Sequence, residues 1–531
     1  MKKYILSCVL ISLSFVTVQA QFEWGPKNKS AIGMPSPVII GADEKTVYVY
    51  KCEFKSDVIE IFDKQSLTSS ESIILPRQFE NVQLGPIGLK KLNNKFIILY
   101  GGIESTRLDI FYYAQTLDLE THSLSSLKLI SKRPYLENSS PLPAVGANAW
   151  QNFKNTILSN EVRLVEGFDD HSILLLVNEA RYFYGLTKLN QTYSNDFKIY
   201  RINENLDIDE PLSFKHSSEH FTVAKVDVYN SDTLLICGSE DTSYFPDNDH
   251  ISWAPYKHDI FLYDVHTGTM IKREIFSGTT TLSHSFTWPT TSGFVCFGVS
   301  EPDDNGMIHF TTEWYDKSLN LLKTSTADAP DQLINSTFNE KQKDLEKSSS
   351  QLLSWTNSYI LLGEGDHGAK HLLIQQIKPY IHYSNGVVSV KYLIGNILTL
   401  KFNGDGELIW QTVIQQFQIS DIQKSGGYWA CMDDNKLNIY FTESAQGMLE
   451  PYDGTTLDQE AEVGKAFFTK VVIDQNGNKS KQKVMEYPKE KKAKNAHVIT
   501  PLSSYQDNVG SVFFVSPDYY NKAFSLGKIS K

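Results

Sequence analysis

Eight carboxylates stand at the ends of short apolar runs spread along 531 residues. The runs are VYVYKCE, FIILYGGIE, ILLLVNE, LLICGSE, FVCFGVSE, YILLGEGD, LNIYFTE and VFFVSPD. Their carboxylates are Glu53, Glu104, Glu179, Glu240, Glu301, Asp366, Glu443 and Asp518. A rim of such groups could hold calcium, another divalent metal or a cationic ligand. The same groups serve equally as acceptors for backbone N–H groups where a strand ends. Groups borne by separate units cannot all converge on one ion.

A second set of metal-ligating residue types is His216-Ser217-Ser218-Glu219-His220. The order His-x-x-Glu-His is that of the inverted zinc-protease motif, in which a helix puts both histidines on one face. Here the segment lies between SFK and FTVAKV, both of which read as strands. The context supports a loop contact to a metal through His216, Glu219 and His220, and no catalytic zinc. His367 and His371 are also four apart, in GDHGAKH, where the glycines favour a loop.

Aromatic residues make a third set. RYFYGLTKLNQTYSN starts at Arg181, and DTSYFPDNDHISWAPYK follows Glu240. Arg181, Tyr182, Tyr184, Glu240, Asp241, Tyr244, Trp253 and Tyr256 are the candidate ligand contacts. Exposed aromatics stack on sugar rings and anchor protein partners. Their competing role is to fold back over sheet edges. No Gly-x-Ser-x-Gly elbow, phosphate-binding loop or dinucleotide fingerprint is present. No cofactor is expected.

The elements that must position these groups repeat. The apolar runs recur every ~50–80 residues, the range of a four-stranded propeller blade with variable loops. Each is a second strand, B. A third strand, C, follows in DVIEIFD, LDIFYYA, FKIYRIN, DIFLYDV, HFTTEWYD, ILTLKFN, AFFTKVVID and KAFSLGKI. These segments are rich in β-branched and aromatic residues. Tight turns such as DVHTG, FNGDGE and DQNGN supply the positive φ of a hairpin before strand D. Seven D strands serve eight B–C pairs, because the eighth unit ends with the chain. FEWGPK, near the other end, can complete it and remove two free sheet edges. The fold class is therefore all-β, a single β-propeller over residues 21–531. It has eight four-stranded blades closed by an N-terminal strand, with a seven-bladed ring as the alternative.

LYDVHTGTMIKREIF and LKFNGDGELIWQTVI give the chain a resemblance to eight-bladed quinoprotein-like propellers. Gly406 to Trp410 is similar to the Gly-x-x-x-Trp turn of such blades. The resemblance covers nearly the whole mature chain and concerns architecture only. It implies that the B–C and D–A loops emerge on one face, bringing the carboxylates to one rim. The tryptophan does not recur in the other units, which argues against a quinone cofactor.

Residues 1–20, MKKYILSCVLISLSFVTVQA, read as a secretory signal peptide: a basic start, an apolar stretch and a Val-x-Ala cleavage site. The protein is expected to be exported, and then secreted or held in the periplasm or cell envelope. No later run is long and apolar enough for a spanning helix. The formal charge is −12, which disfavours nucleic acid and anionic lipid. Cys52, Cys237, Cys296 and Cys431 fall in separate units and are expected as free thiols. The reading that fits best is a non-enzymatic protein- or glycan-binding scaffold. A polysaccharide hydrolase or lyase using rim carboxylates or a metal is the alternative, and a purely structural envelope component is the third.

Overall fold

The computed structural model describes residues 22–29, 37–53, 56–104, 109–134, 162–166, 172–178, 181–184, 189–192, 196–218, 221–240, 257–277, 282–300, 309–330, 351–352, 356–363, 368–384, 387–416, 418–420, 427–444, 466–487, 504–517 and 523–530. Residues 1–20, expected to be a leader, lie outside them. The described residues form strands and turns and no helix, so none of their helices could cross a membrane.

The strands assemble into eight antiparallel sheets, each ordered A-B-C-D. Blade 1 is Val38–Ala42, Thr46–Cys52, Asp57–Asp63 and Ser69–Leu75. Blade 2 is Val82–Leu92, Lys95–Glu104, Asp109–Asp118 and Lys128–Pro134. Blade 3 is Val162–Glu166, Ser172–Asn178, Asp196–Asn203 and Leu212–Lys215. Blade 4 is Phe221–Asn230, Thr233–Glu240, Lys257–Asp264 and Met270–Ile275. Blade 5 is Leu282–Pro289, Gly293–Ser300, His309–Asp316 and Leu321–Asp328. Blade 6 is Thr356–Gly363, Lys370–Ser384, Val387–Phe402 and Leu408–Ile414. Blade 7 is Tyr428–Asp433, Lys436–Ser444, Ala466–Ile473 and Lys479–Tyr487. Blade 8 takes Ser504–Gln506, Val512–Pro517 and Ala523–Ile529 from the C-terminus and Phe22–Trp24 from the N-terminus.

The apolar pattern explains why the sheets stack. In strand B of blade 2, Phe96, Ile98 and Tyr100 join the core shared with blade 1. Ile97 and Leu99 between them join the core shared with blade 3. Successive residues of a strand point to opposite faces, so a strand buried on both faces is apolar throughout. Similar shared cores link blades 3 and 4, 4 and 5, 5 and 6, 6 and 7, 7 and 8, and 8 and 1. Every sheet is thus covered by both neighbours, and the ring closes. A strands of adjacent blades touch one another, as in Val38–Ala42 against Ser504–Gln506, so they lie innermost. The chain is an eight-bladed β-propeller.

Closure depends on the first described residues. Phe22–Trp24 pairs with the last strand in the register Phe22↔Ile529, Glu23↔Lys528 and Trp24↔Gly527. Phe22 and Trp24 pack against the core between blades 7 and 8. The Gly25 amide donates to the Leu526 carbonyl at 2.9 Å. A Cβ on Gly25 would sit 2.2 Å from the Leu67 carbonyl oxygen of blade 1, so only glycine lets the chain pass there.

The face carrying the A–B and C–D turns is uniform. In all seven continuous C–D hairpins an Asp or Asn ends or directly follows strand C, and its side chain accepts backbone amides. The residues are Asp63, Asp118, Asn203, Asp264, Asp316, Asn403 and Asp474, at 2.7–3.0 Å from the amides two to four residues on. Positive φ follows at Leu67, His122, Leu206, Gly268, Leu319, Gly406 and Gly477. These are Asx turns closing tight hairpins. Neighbouring turns are tied together by Lys64–Asp507 at 2.8 Å and Asn93–Glu204 at 2.8 Å. Trp314 donates its indole N–H to the Asp405 carbonyl of the next blade, and Trp410 to that of Gln475, both at 3.0 Å. A Cβ on Gly477 would meet the Trp410 ring at 3.0 Å.

Deleting residues 21–27 is expected to destabilise the whole ring, since Phe22 and Trp24 leave with the strand; the single change Trp24→Ala should remove on the order of 2–4 kcal/mol. Thermal melts check both, and an unchanged melting temperature would contradict closure. Cys52, Cys237, Cys296 and Cys431 are free thiols, so adding a reductant should leave the melt unchanged. A drop of several degrees would reveal a disulfide.

Candidate functional site

Opposite the uniform turns lies the face from which the B–C and D–A loops emerge. Among the described residues, two B–C connections depart there from the blade plan. Between strands B and C of blade 3, Arg181–Tyr184 pairs with Leu189–Thr192 as a separate two-stranded sheet, in the register Arg181↔Thr192 to Tyr184↔Leu189. Arg181, Tyr182 and Tyr184 therefore belong to a hairpin rather than an irregular loop. Glu240 ends strand B of the adjacent blade 4, half-buried and paired with Phe221 and Lys257. Asp241, Tyr244, Trp253 and Tyr256 lie outside the described residues, as do Glu219 and His220.

Blade 6 holds the second departure and a correction. The run YILLG, expected as its B strand, forms strand A, Thr356–Gly363. Strand B is Lys370–Ser384, so His371, read in the sequence as part of a loop, lies on a strand and is buried. Asp366 therefore follows an A strand, not a B strand. The cause is a buried amide network that interrupts the apolar pattern. Gln375, Asn396 and Gln416 are fully buried. The Gln375 amide donates to Gln416 Oε1 at 2.9 Å, the Gln416 backbone N–H to Asn396 Oδ1 at 3.0 Å, and the Gln416 amide to the Thr442 carbonyl at 3.3 Å. Buried polar groups hydrogen-bonded to one another are compatible with a core, but they read as loop residues in a sequence.

The rim carboxylates within the described residues are Glu53, Glu104, Glu240 and Glu443. Glu443 is fully buried and ion-paired with Lys481 at 2.8 Å. Glu53 pairs with Lys51 at 2.9 Å, and Lys51 also binds Glu60. Glu179, Glu301, Asp366 and Asp518 lie outside the described residues. Further polar groups near this face are held by contacts within a blade or to the next blade. Arg77 donates to Asp57 at 2.8 Å and to the Glu53 carbonyl at 2.6 Å, and the Tyr50 hydroxyl donates to Asp57 at 2.9 Å. The Phe276 amide donates to Glu313 at 2.8 Å. These contacts tie strands B, C and D together and explain why carboxylates recur there.

His216 follows the same logic. It is buried in the D–A connection before blade 4, with its ring stacked on Phe221 at 4.0 Å. Its Nδ1 accepts the Ser218 N–H at 2.9 Å and its Nε2 lies 3.1 Å from Asp259. Lys272 reaches Asp259 at 2.9 Å. Burial opposes ionisation of Asp259, but His216 and Lys272 outweigh it and hold the carboxyl below its ordinary range. No cluster of three or more His, Cys, Asp or Glu that could hold a metal occurs among the described residues.

No protein-family model and no curated protein matches the chain. Solved structures similar to it include one titled "Structure of Dos1 propeller", at TM-score 0.42 and 8% identity over 95% of each chain. Another is the WD40 domain of SCAP from fission yeast, at TM-score 0.39 and 10% identity over 96% of this chain and 98% of that one. A third is a europium-containing methanol dehydrogenase, at TM-score 0.39 and 9% identity over 96% and 94%.

Burial pushes two histidines near this chemistry down to about 4: His258, against which Asp259 works, and His371, where Lys401 adds to the effect. Both remain neutral in the folded chain at pH values where the unfolded chain protonates, near 6.5. Stability is complete above about pH 6.5 and falls as the pH drops towards 4, by up to about 1.4 kcal/mol per unit for each histidine. Melts from pH 7 to 4 should show this loss, and His371→Leu should flatten the slope by one histidine's share. An identical slope in the variant would contradict the assignment.

Proposed function

We propose that this chain is an exported binding and scaffolding module that takes a protein or glycan ligand on its B–C face. One observation carries the reading. The described turns of the opposite face are short and tied to one another, whereas on the B–C face blades 3 and 6 add paired structure beyond the four-strand plan. Loops displayed by a rigid scaffold are where recognition usually resides. Arg181, Tyr182 and Tyr184 stand on the first of those additions. Glu240 ends strand B of the next blade, with Asp241, Tyr244, Trp253 and Tyr256 following in sequence. Tyrosine, tryptophan and arginine dominate binding hot spots. The pairing of Glu53 and Glu443 with lysines favours binding over carboxylate catalysis. The leader at residues 1–20 supports export.

The test is capture from the source organism's envelope and culture extracts, with the mature protein as bait. The comparison bait carries Tyr182→Ala, Tyr184→Ala and Trp253→Ala. Loss of two or more hot-spot side chains should weaken a specific capture at least about 30-fold. Equal capture by both baits would contradict the assigned face.

A further inference from the structure

Two of the four free thiols meet across one blade interface. Cys237 and Cys296 stand on the B strands of blades 4 and 5, and both belong to the core that those blades share. Thr287, directly opposite Cys296 on strand A of blade 5, bridges them. Its hydroxyl lies 3.5 Å from the Cys296 sulfur and is hydrogen-bonded to the Cys237 thiol as well. All three residues are buried, among Leu235, Ile260 and Phe294. The other two thiols lie elsewhere: Cys431 in the core between blades 7 and 8, Cys52 beside Arg77 at 3.6 Å.

Stacked sheets stand ~10 Å apart, beyond the ~7 Å between Cα atoms that a disulfide can span. An ion held in line between the sulfurs has a longer reach. It replaces one S–S bond of ~2.05 Å with two metal–sulfur bonds of ~2.3 Å, which adds roughly 2.5 Å to the span. Two thiolates around a monovalent ion leave one negative charge. Lys225 is directly opposite Cys237, shares its face and offsets that charge. Lys225 is exposed and ion-paired with the half-buried Asp227 at 2.5 Å, on the innermost strand of blade 4. An ion therefore has an approach from the central channel. Glu313, opposite Cys296 on the other side, is already engaged by the Phe276 amide and the Tyr315 hydroxyl. Burial pushes the Cys237 thiol up to about 12 and Cys296 well above its ordinary value. Only an ion with high thiolate affinity displaces such protons, and soft ions have it.

We propose that Cys237 and Cys296 form a two-coordinate site for a soft monovalent cation, copper(I), between blades 4 and 5. Binding joins the ion to both sulfurs and releases both thiol protons to solvent. Copper stays monovalent, so no electron is transferred. Tetrahedral zinc takes four ligands, and the pair supplies two. The site is separate from the B–C face and stands or falls independently of it.

The test titrates the reduced mature protein with copper(I) in competition with the chelator bicinchoninate. One bound ion per chain is expected, and a Cys52→Ser, Cys431→Ser variant should keep it. Cys237→Ser and Cys296→Ser should each lower the affinity by more than the ~100-fold that losing a residue supporting a ligand costs. Melting temperatures report whether each variant folds, and copper should raise that of the wild type. X-ray absorption at the copper edge of the loaded wild type needs no variant and should show two sulfur neighbours. No binding by the wild type, equal binding by folded Cys237→Ser, or a copper ion with three or more ligands would overturn the proposal. Tighter binding of zinc than of copper(I) would do so too.

Discussion

No sheet in this protein owns its core. Each of the eight is buried on both faces, and every apolar cluster belongs to two blades at once. A linear stack built this way would leave two large apolar faces open to water. Joining the ends removes both. The chain does so by lending its first strand to its last sheet, so one blade contains residues from both termini. Ring closure is thus the condition under which all eight interfaces are satisfied together.

That constraint sorts the polar residues. Where strands must stay in register, the polar groups are local and structural. Asx turns close the C–D hairpins on one face, and pairs with a buried carboxylate, such as Lys481–Glu443 and Lys272–Asp259, tie strands together towards the other. A buried charge left without its partner is strongly destabilising, so these groups are held to fixed places. The freedom to vary is left to the B–C connections. Two of them have used it to build extra paired structure.

Much of the architecture was legible in the sequence, and the reasons are physical. Doubly buried strands such as FIILY and LLICG are continuous apolar runs, which short loops cannot imitate. FEWGPK was recognisable because the last unit lacked a strand. Blade 6 was misread because Gln375, Asn396 and Gln416 are hydrogen-bonded to one another inside the core, a match that exists only in three dimensions. The Asx repeat was seen where glycine marked it, at Gly268, Gly406 and Gly477. It was missed where leucine or histidine takes positive φ, at Leu67, Leu206, Leu319 and His122. A search for Asp or Asn at each strand C end would have found all seven. The aromatic segment at Arg181 was noticed for its composition, but its pairing into a hairpin was not legible, because its strands are only four residues long. The His-x-x-Glu-His order carried no information about His216, whose partners Asp259 and Lys272 come from later strands.

The joining of the two termini can be tested by a covalent bond. Glu23 and Lys528 are directly opposed across the closing strand pair, and opposed antiparallel positions fall within disulfide reach. In a Glu23→Cys, Lys528→Cys variant, mild oxidation of the folded protein should link the two residues, change its mobility on a non-reducing gel and raise its melting temperature. If both new thiols stay free in folded protein under oxidation, the termini do not meet and the closed ring is wrong.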